Sequence, residues 1–180
     1  MSKHVKDIDK GFKAFQKFLK DARNVPIVKI GVLGTPENLT KDEGDGYNQV
    51  QIAAVNEYGT KNQNEASGLV IPPRSFIGST MDEKKRAIGA TSIQMQKKLF
   101  LGELKLSQAL GLMGKEIKNL IQGKITSLRT PPNKPSTIKK KGSSNPLIDN
   151  EDLRKSISYE VDQGSLSDEL TSVIAGVTRS

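Results

Sequence analysis

The chain has 180 residues, 34% of them hydrophobic and only 4% aromatic, with no Trp. That is enough for one domain with a modest aliphatic core, and the 27% charged share is ordinary for a folded chain. There is no Cys and a single His, His4, which excludes disulfides, thiolate metal sites and any site built on paired imidazoles. The formal net charge is +8, and it is unevenly placed. Between Glu116 and Asp149 there is no acidic residue, while Lys118, Lys124, Arg129, Lys134, Lys139, Lys140 and Lys141 all fall in that gap.

Residues 4–23, within an N-terminal segment 1–24, read as an amphipathic helix. Val5, Ile8, Phe12, Phe15 and Leu19 recur at steps of three and four, with lysines on the other faces. Such a helix covers a sheet with its lysines in solvent, which is the preferred reading over a membrane surface. The opening MSKHVKDIDKGF has no apolar h-region, so no secretory signal is expected, and no apolar run reaches the ~20 residues of a membrane span. Pro26 ends the helix. Residues 27–33, IVKIGVL, alternate as a strand, with Val28, Ile30 and Val32 on one face.

The acidic, Gly-rich stretch around residues 41–46 lacks the ligand spacing of a calcium loop and reads as a solvated loop. Residues 49–58 predict a short helix closed by Gly59 in the left-handed conformation. Leu69 to Arg74 forms a stiff extended run through Pro72-Pro73. Ser79 or Thr80 then predicts the N-cap of a helix over 80–100, with Asp82 and Glu83 in its first turn. After Gly102, a helix over 104–126 carries Leu106, Leu110, Met113, Ile117, Leu120 and Ile121. The short break makes 80–126 a helical hairpin.

Residues 130–145, TPPNKPSTIKKKGSSN, lack apolar periodicity and predict a mobile basic loop. Residues 153–161 alternate as a strand, and with a second strand over 170–177 they predict a C-terminal β-hairpin spanning 153–178. The sum is a single α+β domain: a small, mostly antiparallel sheet packed by the N-terminal helix and the helical hairpin.

An enzyme reading fails on inventory. There is no phosphate loop, no HExxH motif, and a nucleophilic triad would have to recruit His4. Glu57, Glu103 and Glu116 read as isolated acids on solvated helix faces. Asp149, Glu151 and Asp152 cluster beside Arg154 and Lys155, where turn capping and local ion pairs outweigh a metal site. No catalytic residue, metal or cofactor is expected. Lys134, Lys139, Lys140 and Lys141 are candidate contacts for DNA or an acidic partner. They lack the interleaved aromatics of a single-strand binder, and prolines interrupt any groove-reading helix.

Three stretches, taken in order, resemble a known family. They are Ala53-Ala54-Val55-Asn56-Glu57-Tyr58-Gly59-Thr60, then Ile71-Pro72-Pro73-Arg74-Ser75-Phe76-Ile77, then Asn145-Pro146-Leu147-Ile148-Asp149 with Leu153-Arg154-Lys155-Ser156-Ile157. The set is similar to the tail-completion and neck proteins of tailed bacteriophages, including the Mu-like virion-morphogenesis family. The matching patterns there are A-x-x-N/H-E-F/Y-G-T, I-P-P/A-R-x-F and P-L-I-D-T-G-x-L-R-x-S-I. Where that last pattern has Thr-Gly, this chain has Asn150-Glu151, which predicts a turn of different shape because Glu tolerates positive φ poorly.

The resemblance implies a non-enzymatic virion protein, assembled in the host cytoplasm. Its copies would form a ring, by the family's example a hexamer, between the head's portal complex and the tail tube, with DNA passing through. Tyr58, Arg74, Phe76, Asp149 and Arg154 lie in the three stretches and are the interface candidates. Arg74 and Phe76 on a proline-stiffened segment make a rigid cation–aromatic pair suited to anchoring. The alternative for that pair is a Phe76 that plugs the core and an Arg74 that pairs with an acid. Other functional readings are a tail terminator that caps the tail tube and, from a different class, a basic nucleic-acid-binding module.

Overall fold

A computed structural model describes residues 26–41, 46–60, 70–148 and 151–162. The expected N-terminal helix 4–23, the second C-terminal strand 170–177 and Asp149 lie outside the described residues. The elements run β1 (Ile27–Val32), α1 (Pro36–Leu39), α2 (Gln49–Tyr58), α3 (Gly78–Phe100), α4 (Leu106–Ser127), α5 (Pro135–Lys141), α6 (Asp152–Ser156) and β2 (Ile157–Asp162). Helices packed on a small antiparallel sheet make this an α+β fold.

The sheet follows from alternation. β1 and β2 pair antiparallel from Ile27 opposite Asp162 to Val32 opposite Ile157. Because side chains alternate across a pleat, Val28, Ile30 and Val32 share one face with Ile157, Tyr159 and Val161. That face receives α4. The other face is polar, and Lys29 Nζ reaches Asp162 Oδ2 at 2.8 Å across it.

α4 is the element on which the rest is assembled. Its buried line is Ala109, Gly114, Ile117, Ile121 and Ile125, continued by Leu128 just past the helix. The expected stripe of large apolar residues captures Ile117 and Ile121, but Leu106, Leu110, Met113 and Leu120 are only half-buried. The small residues explain the rotation. A Cβ on Gly114 would lie 2.6 Å from Tyr159 Cδ2 and 2.9 Å from Val28 Cγ2, so β1 and β2 sit directly on the helix backbone there. A stripe counted from large side chains misses a face on which smallness is the requirement.

α3 and α4 form the expected hairpin, and its direction can be read from cross-helix bonds. Glu83 pairs with Lys124 (2.5 Å) and Thr91 with Glu116 (3.1 Å), so eight residues forward on α3 match eight backward on α4. The helices are therefore antiparallel. The turn between them uses Gly102 at φ 74°. The remaining core, Phe76, Leu147, Leu153 and Ile157 with Ala53, closes around the C-terminal half of α4.

Two expectations are corrected. Residues 135–141 are helical rather than loop, since Pro135 takes the first helical position and Gly142, at φ 70° and ψ 5°, takes the left-handed residue that ends it. Pro135, read as a breaker, is here a starter. Residues 152–156 are also helical, so the strand begins at Ile157 rather than at 153. Leu153 and Ile157 are both buried and four apart, which is helical spacing, and true alternation starts only afterwards.

A pair of glycine substitutions checks this packing. Gly114→Ala should cost about 1–3 kcal/mol in a denaturant melt, because Tyr159 and Val28 must move. Gly123→Ala, where an added Cβ meets nothing within 4 Å, should stabilise by up to about 1 kcal/mol through helix propensity.

Candidate functional site

A long helix leaves its first N–H groups without intrahelical acceptors. At the start of α3 the residues are Phe76-Ile77-Gly78, and the N-cap residue, Ile77, has no side chain that could accept. The acceptor comes from another helix. Glu57, one residue from the end of α2, extends its carboxylate over the opening of α3. Oε1 accepts from the Ser75 hydroxyl (2.6 Å) and the Gly78 N–H (2.9 Å). Oε2 accepts from the N–H groups of Phe76 (2.8 Å) and Ile77 (2.9 Å). Ser75 Oγ in turn accepts from the Ser79 N–H at 3.1 Å.

The expected caps behave differently. The Ser79 and Thr80 hydroxyls donate back to the carbonyls of Ser75 and Phe76, each at 2.6 Å. Glu57 is likewise no solvated acid. Burial pushes its carboxyl up, but the Ser75 hydroxyl and the three N–H groups outweigh burial and hold it below the ordinary carboxylate value.

The backbone on either side of Glu57 is paired with the same segment. The Arg74 N–H donates to Asn56 O (2.6 Å), the Thr60 N–H to Ile71 O (2.9 Å), and the Ile71 N–H to Thr60 Oγ1 (2.9 Å). Gly59 lies between them at φ 74° and ψ 177°, outside the left-handed helical region expected of it. Its glycine is required by close approach as well, since a Cβ would sit 2.8 Å from Ile71 O and 2.9 Å from Pro73 N.

Arg74 carries the connection onward. Its Nε donates to Pro131 O (2.9 Å), and its Nη2 donates to Pro132 O (3.3 Å) and Asn133 Oδ1 (3.2 Å). No acid is within ion-pair distance of it among the described residues. Burial pushes the guanidinium down from its ordinary range, yet it stays a cation at neutral pH, held by oxygens of neutral groups. Asn133 Nδ2 donates to Asn145 O (3.4 Å), Asn145 Nδ2 to Thr126 O in the last turn of α4 (2.9 Å), and the Leu147 N–H to Asn145 Oδ1 (3.0 Å). One polar seam thus joins residues 56–60, 71–78, 131–133 and 145–147 to the end of α4.

The sequence-predicted site residues separate into two groups. Phe76 is 0% exposed, so its ring serves the core, and Arg74, at 8%, is spent inside the seam. Tyr58 is 80% exposed. Arg154 is half-buried, bonded to Glu151 at 2.7 Å, and its carbonyl accepts from Gln122 Nε2 at 2.9 Å. Lys134, Lys139 and Lys140 are exposed on α5 or at its N-cap, while Lys141 is half-buried.

Asn133, Asn145 and Glu57 escaped the sequence reading. The one signal for Glu57 was a long helix opening on Ile77-Gly78, which needs a cap from elsewhere. Glu151, at φ 63° and ψ 7°, occupies the left-handed region despite its Cβ, at the position where the resembling pattern has Gly. The chain matches no protein-family model, no curated protein and no solved structure.

Two measurements test the seam. The folded pKa of Glu57 is depressed, so its contribution to stability is complete above its ordinary value of 4.5 and is lost as pH falls through the folded value. Glu57→Gln should therefore lose roughly 2 kcal/mol at neutral pH, allowing for partial exposure, and the gap should narrow in urea melts below about pH 4. Glu151→Gly should raise the melting temperature, since left-handed geometry costs a residue with a Cβ roughly 1 kcal/mol. A fall would mean that the Arg154 pairing outweighs that strain.

Proposed function

We propose that this chain is a structural subunit of a tailed-phage virion. Copies of it assemble into a ring that completes the tail or neck and joins head to tail, contacting the portal complex on one side and the tail tube on the other. One observation carries the reading. The three stretches on which the resemblance rests are separate in sequence, yet residues 56–60, 71–77 and 145–147 within them are tied together by the Glu57–Arg74–Asn145 seam. Motifs that bond to one another have a physical reason to occur as an ordered set.

The seam also supports a way for such a subunit to meet its neighbours. Arg74 and Phe76 hold the frame from inside, and Tyr58 stands on that frame in solvent. An exposed aromatic on a rigid, hydrogen-bonded base loses little side-chain freedom on docking, which suits an interface anchor. Phe100 and Leu101 at the tip of the α3–α4 hairpin offer further exposed apolar surface.

The test is microscopy of particles from a phage carrying an early stop codon in this gene. Full heads lying apart from tails of normal length are expected. Tails of uncontrolled length would place the protein at the tail terminator instead, and intact infectious particles would overturn the structural role.

A further inference from the structure

Where the N-terminal end of α3 approaches the C-terminal end of α4, the surface opens into a cleft of about 340 Å³. Arg74, Ser75, Ser79, Lys124, Arg129 and Thr130 line it, and no acidic residue does. Lys124 is partly neutralised by Glu83 at 2.5 Å, so the uncompensated charge belongs to the two arginines.

Arg74 is an unusual donor. Its residue is 8% exposed, and three acceptors fix Nε and Nη2. That leaves the two N–H groups of Nη1 with no acceptor among the described residues. A guanidinium clamped on one edge cannot swing away, so its free edge is preorganised for an anion. Arg129 is held in a similar way: Nη1 bridges Thr126 O (2.7 Å) and Leu128 O (3.0 Å), and Nε and Nη2 have no acceptor among the described residues. The opening N–H groups of α3 are already taken by Glu57 and Ser75, so the helix dipole is not what makes this site.

We propose that this cleft seats a backbone phosphate of duplex DNA, with Arg74 Nη1, Arg129 and the Thr130 hydroxyl as donors. The extent of the charge favours a polyanion over a single acid. One wall of the cleft, Lys124, Ser127, Leu128, Arg129 and Thr130, belongs to the acid-free stretch between Glu116 and Asp149. Residues 131–133, which hold Arg74, lead directly into α5, where Lys134, Lys139 and Lys140 are exposed for flanking phosphates. This inference rests on the cleft alone and stands or falls independently of the ring.

The test is an amide NMR titration of the full chain, first with inorganic phosphate against sodium chloride at matched ionic strength, then with a short duplex. Phosphate should shift the amides of Ser75, Ser127, Leu128 and Thr130 saturably. The duplex should move the same amides together with residues 134–141. Arg129→Glu, at an exposed position, should weaken duplex binding about tenfold or more and flatten its salt dependence, and Arg129→Gln should do so to a lesser degree. Lys139→Glu with Lys140→Glu should weaken the duplex while leaving the phosphate shifts intact. Absence of phosphate shifts above the chloride control, or duplex binding unchanged in both Arg129 variants, would overturn the site. A poly-glutamate peptide that binds the cleft more tightly than the duplex would overturn its assignment to nucleic acid.

Discussion

The carboxylate of Glu57 accepts four hydrogen bonds from the first residues around the opening of α3, and the rest of the structure depends on that one group. α3 is a 23-residue helix whose own N-cap residue cannot accept a hydrogen bond. With the acceptor supplied from α2, the helix start is tied to a particular place in the fold rather than merely terminated. That place puts Phe76 in the core and sends Arg74 toward the segment after α4. A carboxylate also suits this site better than a neutral cap, because its charge is offset by aligned N–H dipoles while partial burial strengthens each bond.

Arg74 and the two asparagines extend the same logic to the segments that follow α4. Each supplies partners to backbone groups that are at least partly withdrawn from water: residues 131–133 by the guanidinium, and the last turn of α4 and residues 145–147 by the asparagine amides. The result is that α3 and α4, antiparallel partners, are locked at the end distant from their connecting turn. Gly114 completes the arrangement by letting the sheet rest on α4 without an intervening side chain.

Much of this was legible in the sequence, and the failures have physical causes. β1 and α2 follow from alternation and from helical spacing ended by glycine, and the hairpin follows from two apolar periodicities around Gly102. α5 was hidden because proline marks both helix starts and loops, and only its position relative to Gly142 distinguishes them. α6 was hidden because a short helix running into a strand mixes two periods within ten residues. The site was read in its letters but not in its roles. An Arg-x-Phe after two prolines looks like a presented pair, and nothing local reveals that its partners are carbonyls some 57 residues later. Glu57 resembled any acid on a helix, since a cap supplied from another helix leaves no local pattern.

The functional reading gains coherence from this distribution of work. Residues of the three stretches build the frame, and Tyr58, the hairpin tip and the basic side around α5 are left exposed. Glu57 is the link between α2 and α3, and native-state hydrogen exchange tests this most directly. The amides of Phe76, Ile77 and Gly78 should exchange slowly in the parent chain and rapidly in Glu57→Ala, with the amides of Ile121 and Ile125 still protected. Rapid exchange of those three amides already in the parent chain would contradict it.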